Sequence, residues 1–127
     1  MKTNRLVALG ALLLATVSLP SASAETPSCT PEGTALSIAA QDKQFDKDCL
    51  AAPAGQAFTI DFDNQDVAAR HNVAIYDTAN GGKELFKGEI VIGPRKVTYS
   101  VPAQAAGTYE FRCDPHAKTM IGTFIVQ

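Results

Sequence analysis

The chain has 127 residues, of which 46% are hydrophobic and 19% charged, with a formal net charge of −2 at pH 7. That length suits one domain with a single core, and the weakly acidic balance excludes a nucleic-acid partner held on a basic face.

Residues 1–24 carry their own pattern. Lys2 and Arg5 precede an apolar run from Leu6 to Leu19, and Ala22-Ser23-Ala24 is a small-residue cleavage site. This is the form of a secretory signal peptide. The rival reading is a membrane anchor, but the 14-residue run falls short of the ~20 residues that cross a bilayer. No later stretch is apolar enough to insert. Cleavage after Ala24 leaves 103 residues with nine basic and thirteen acidic side chains. Eight of the acids lie in residues 25–66, where Lys43 and Lys47 are the only bases.

Residues 25–34 are rich in proline and turn formers and read as a leader, with the folded domain over 35–127. Leu36 and Ile38 start a first strand, Asp42 to Asp48 is a polar turn, and Cys49-Leu50 resumes a short strand. Phe58, Ile60 and Phe62 alternate with Thr59, Asp61 and Asp63, the clearest half-buried strand in the chain. Asn64 to Arg70 reads as a loop, after which His71, Val73 and Ile75 share one face of a strand. Asn80-Gly81-Gly82 is a turn, Lys83 to Ile92 fits either short strands or a helical turn, and Gly93-Pro94 breaks the chain. Val97, Tyr99 and Val101 alternate, as do Tyr109, Phe111 and Cys113, and Gly122, Phe124 and Val126 continue the parity of Met120. Seven or eight short strands separated by turns predict an all-β, antiparallel, Greek-key β-sandwich.

Three cysteines in an exported chain leave one without a partner. Cys29 and Cys49 can bridge in an oxidising compartment and leave Cys113 free, whereas the rival pairings would use Cys113. A free thiol outside the cell needs a role. Cys113 opens a C-x2-H-x3-M run with His116 and Met120, and His71 begins a strand upstream. His71 and His116 are the only histidines, and Met120 is the only methionine besides the first residue. Two imidazoles, a thiolate and a weak thioether form the blue-copper ligand set. Zinc is the nearest rival, but it disfavours methionine. A metal-free Cys113–His116 nucleophile–base pair lacks a third group to orient the base. Taken singly, each residue also has a plain core role.

Gly107-Thr108-Tyr109-Glu110-Phe111-Arg112-Cys113 resembles the G-x-Y-x-F-x-C strand of the cupredoxins, which include plastocyanin, pseudoazurin and amicyanin. Asp114-Pro115-His116 continues the likeness, and His71-Asn72-Val73 is similar to the strand bearing that family's first ligand. The resemblance implies one type 1 copper ion, with His71, Cys113 and His116 equatorial and Met120 axial. It implies that Asn72 ties the two ligand loops together, its backbone N–H directed at the cysteine sulfur, and that His116 is the solvent-edge electron portal. Ala69, Pro115, Ala117 and Ile121 would rim that portal, with Arg70 and Lys118 steering an acidic partner and Asp114 offsetting them. The expected function is a monomeric, periplasmic or secreted electron carrier that meets redox proteins transiently and is not an enzyme. Extracytoplasmic copper buffering or delivery uses the same ligands and stays open, as does a metal-free interaction module. Catalysis would need a second, open metal site, and the chain has no spare histidine to build one.

Overall fold

All but one of the stretches of alternating apolar residues form single strands in the structure, a computed structural model that describes residues 17–22, 25 and 28–127. The charged start of the expected signal peptide, most of its apolar run and the end of its cleavage site lie outside the described residues. In chain order the strands are β1 (Ala35–Gln41), β2 (Gln44–Phe45), β3 (Cys49–Ala52), β4 (Phe58–Asn64), β5 (Arg70–His71) and β6 (Ala74–Asp77). They continue as β7 (Lys83–Lys87), β8 (Val91–Ile92), β9 (Arg95–Val101), β10 (Gly107–Arg112) and β11 (Ile121–Val126).

One sheet has the order β2-β1-β4-β9 and the other β3-β11-β10-β6-β7, with β5 and β8 paired separately. Most pairs are antiparallel, as the turns require. β1 on β4 and β3 on β11 are parallel, because each pair is joined through long excursions across the molecule. Alternation sets the inner faces: Ile60, Phe62, Ile75, Phe111 and Phe124 are all fully buried and belong to one core fed by both sheets. Each such side chain contributes roughly 1.5–3 kcal/mol. Gly122 pairs with Phe111 across the β10–β11 ladder, and a Cβ there would overlap the Phe111 ring. The glycine is a recess for that ring.

Three local features refine the expectation. The polar turn after β1 is a two-residue hairpin in which Asp42 and Lys43 both take positive φ, at 54° and 57°. That is the twist a tight hairpin prefers. The ambiguous segment at 83–92 forms β7 and β8 rather than a helical turn. The single strand expected through His71, Val73 and Ile75 is two strands, for the chain changes partner at Asn72-Val73. β5 pairs with β8 and β6 with β10 and β7, while the Gly88 N–H donates to the Val73 carbonyl at 2.9 Å. Cys29 and Cys49 are bridged, tying the leader to β3, and Cys113 is free and buried.

Candidate metal centre

The loop between β10 and β11 is closed on itself by backbone bonds. The Cys113 N–H donates to the Met120 carbonyl at 2.9 Å, the His116 N–H to the Cys113 carbonyl at 3.0 Å, and the Met120 N–H to the His116 carbonyl at 2.9 Å. Pro115 sits in the first turn of the short 3-10 segment Asp114–His116, where a missing N–H costs nothing. β5 lies against this segment and brings His71 to it.

Cys113 Sγ lies 3.5 Å from His71 Nδ1 and 3.7 Å from His116 Nδ1. The three donor atoms all fall within 4.8 Å of one another. Metal bonds of roughly 2.0–2.3 Å would set sulfur and imidazole nitrogen about 3.5–3.8 Å apart at tetrahedral to trigonal angles. The spacing fits a single ion. Cys113, His71 and Met120 are buried, and His116 is half-exposed. Met120 belongs to the same core cluster as Cys113, and two backbone bonds tie it to Cys113 and His116.

A sequence profile of the cupredoxin-like domain family matches residues 6–126. The chain belongs to this family. The cupredoxin is similar in fold to auracyanin A, a blue copper protein from Chloroflexus aurantiacus, at 23% identity and TM-score 0.65, over 76% of this chain and 100% of that one. It is similar to amicyanin from Paracoccus versutus at 25% identity and TM-score 0.55, over 73% of this chain and 81% of the other. It also resembles an amicyanin variant in its reduced Cu(I) form at 26% identity and TM-score 0.55, over 73% and 82% of the two chains. No curated protein matches it. The fold and this donor set together fit one type 1 copper ion.

The surroundings of the cupredoxin's donors are built mainly by two buried asparagines and two acids. The Asn72 side chain donates to the Gly88 carbonyl at 3.0 Å and to Asp114 Oδ2 at 2.9 Å, and accepts from the Asp114 N–H at 2.8 Å. It therefore clasps the loop after Cys113 to the chain before β8. Burial raises the Cys113 thiol pKa, opposed by the nearby backbone N–H groups of Asn72 and His116. Burial and the neighbouring His71 lower the His116 pKa, which favours the neutral, ligating imidazole.

Asp114 is turned inward. Burial would raise its pKa, but the Asn72 amide and the Tyr76 hydroxyl, 2.7 Å away, outweigh that and hold it below the usual carboxylate range. Lys87 and Arg112 each approach it at 3.7 Å, so its charge is already matched and offsets Arg70 and Lys118 little. Arg112 lies over the Tyr76 ring at 3.7 Å from its centroid, a cation–π contact. Of the expected rim, Pro115 and Ile121 are exposed and Ala69 and Ala117 half-buried, with Arg70 and Lys118 exposed.

One contact has no counterpart in the sequence reading. His71 Nε2 lies 2.8 Å from Asp66 Oδ2. Asp66 falls in the stretch read as a plain loop, and no spacing rule marks an acid five residues before a ligand as its partner. Only the fold discloses it.

Proposed function

We propose that this cupredoxin is an exported one-electron carrier that holds its copper on His71, Cys113, His116 and Met120. The observation that carries the reading is the Cys113 sulfur set between two imidazole nitrogens, at 3.5 and 3.7 Å, at the buried end of this fold. In this reading Cys113 would hold the ion through its thiolate, His71 and His116 through Nδ1, and Met120 through a weak thioether. Copper, when bound, supplies the Cu(II)/Cu(I) couple.

The chain's own residues do the rest. Cys113 gives up its proton to bind, and the Asn72 and His116 N–H groups stabilise the sulfur charge that burial would otherwise penalise. Buried His71 and Met120 keep water from the inner side. The self-bonded loop at 113–120 holds the donors in place, so that little moves as charge is exchanged. Half-exposed His116 is the route to the surface. Ala69, Pro115, Ala117 and Ile121 give a small apolar rim, and Arg70 and Lys118 attract an acidic redox partner during brief encounters, which tolerate small interfaces.

Residues 1–24 act as a cleaved signal, 25–34 as a tethered leader and 35–127 as the working domain, a monomer in the periplasm or outside the cell. The bridged Cys29–Cys49 pair supports an oxidising compartment. Among the described residues, no helix is long and apolar enough to cross a membrane.

The test is a Cu(II) titration of the purified chain, followed by voltammetry of wild type and Met120→Leu. The expected result is one copper per chain and an intense thiolate-to-copper band that bleaches with reductant and returns with oxidant. Removing the thioether should shift the potential upward. Rapid surrender of copper to a chelator would instead assign the chain to metal delivery. Absence of the band would refute the site.

A further inference from the structure

His71 is fully buried, and its ring is held from both sides. Nδ1 faces the Cys113 sulfur at 3.5 Å, and Nε2 faces Asp66 Oδ2 at 2.8 Å. A carboxylate only accepts, so the Nε2 position carries the hydrogen and Nδ1 keeps its lone pair on the sulfur side. Asp66 in turn does not wander. Its Oδ1 accepts the Asp42 N–H at 2.6 Å and its Oδ2 accepts the Lys43 N–H at 2.9 Å. Both donors belong to the left-handed hairpin between β1 and β2. Such paired N–H groups form a small anion-binding concavity, here filled by the protein's own carboxylate.

The backbone around Asp66 is pinned too. Its N–H donates to Asn64 Oδ1 at 3.1 Å, and Asn64 Nδ2 donates to the Ala69 and Val91 carbonyls, each at 3.0 Å. Gly93 approaches so closely that a Cβ there would overlap the Asp66 carbonyl. Hairpin, acid and imidazole thus form one relay running from the surface of one sheet to the inner side of the metal centre.

We propose that Asp66 is a positioning residue that fixes His71 with Nδ1 toward the metal and, through its charge, biases the centre toward the oxidised ion. The inference rests on the copper reading for its second half only. A carboxylate hydrogen-bonded to the outer nitrogen of a ligating imidazole fixes ring orientation and raises ligand basicity. Greater basicity and a nearby negative charge both favour Cu(II) over Cu(I), so Asp66 lowers the reduction potential. One electron is exchanged at the ion, and no bond to Asp66 or His71 forms or breaks.

The test has two independent arms. In the metal-free full chain, at a pH where His71 is neutral, long-range 1H–15N correlation should find His71 in the Nε2–H form in wild type and a mixture in Asp66→Ala. In copper-loaded protein, Asp66→Asn should keep the blue band but raise the Cu(I)-to-Cu(II) affinity ratio about tenfold, which is ~59 mV for a one-electron couple. Asp66→Glu, which keeps the charge, should return the potential toward wild type. A wild-type His71 found in the Nδ1–H form overturns the positioning role. An unchanged potential in a copper-loaded Asp66→Asn overturns the charge role. Failure of wild type to take up copper refutes the copper reading itself, and the tautomer measurement then decides the positioning role.

Discussion

Asn72→Ala is the sharpest test of what holds the metal loop. The substitution deletes three hydrogen bonds at once, to the Gly88 carbonyl and to both the carboxylate and the N–H of Asp114. Two backbone groups lose their partner in or near the protein interior, and each orphaned group costs about 1–3 kcal/mol. The lost contact to a carboxylate adds a charged bond to the tally. We expect a loss of about 3–5 kcal/mol in the metal-free protein, a large share of the ~5–15 kcal/mol that holds a small domain together. With a urea slope of ~1–3 kcal/mol/M, the unfolding midpoint should fall by roughly 2 M at unchanged slope. The backbone N–H of Asn72, which favours the Cys113 thiolate, survives the change. Copper-loaded Asn72→Ala should therefore remain blue while unfolding more easily. A loss below about 1 kcal/mol would refute the clasp, and so would full stability with an altered spectrum.

Other outcomes follow from the same contacts. Replacing Cys29 and Cys49 by serine frees a segment with a sequence separation of 20, which should cost about 3 kcal/mol of stability in a thermal or urea melt; a cost near zero would show the leader is not a working tether. Gly122→Ala should destabilise by about 1–3 kcal/mol because the Phe111 ring and the Asp48 carbonyl leave no room for a methyl group, and a neutral result would refute that packing. Reversing the charges of exposed Arg70 and Lys118 should flatten or invert the salt dependence of electron transfer to an acidic partner, and an unchanged slope would remove the steering role.

Much of this molecule is legible in the chain because burial here is periodic. Phe58, Ile60 and Phe62, and Val97, Tyr99 and Val101, point inward at every second position, so their strands and inner faces follow from alternation alone. The C-x2-H-x3-M run was legible because those donor atoms are rare in this chain and cluster in a turn. Pairing was less so. Nothing local announces that β1 should lie parallel to β4, since register between distant segments is decided by which faces meet in the core. The break at Asn72-Val73 was hidden for a related reason: unbroken burial from His71 to Tyr76 masks a change of sheet. Asp66 was the least visible. Its role depends on a hairpin 23 residues away that supplies its second anchor, and Lys43 at positive φ is not a residue that advertises such a turn.

The order in which the donors are made has a consequence for biogenesis. His71 leaves the ribosome well before Cys113, and His116 and Met120 follow Cys113 closely. β11, the partner that closes the loop behind them, is made after all four. A chain still being synthesised therefore has no finished cluster of these side chains until β11 is in place. Assembly of the four side chains must wait for β11 to pair with β10, so the centre belongs to the folded domain and not to any shorter stretch of chain.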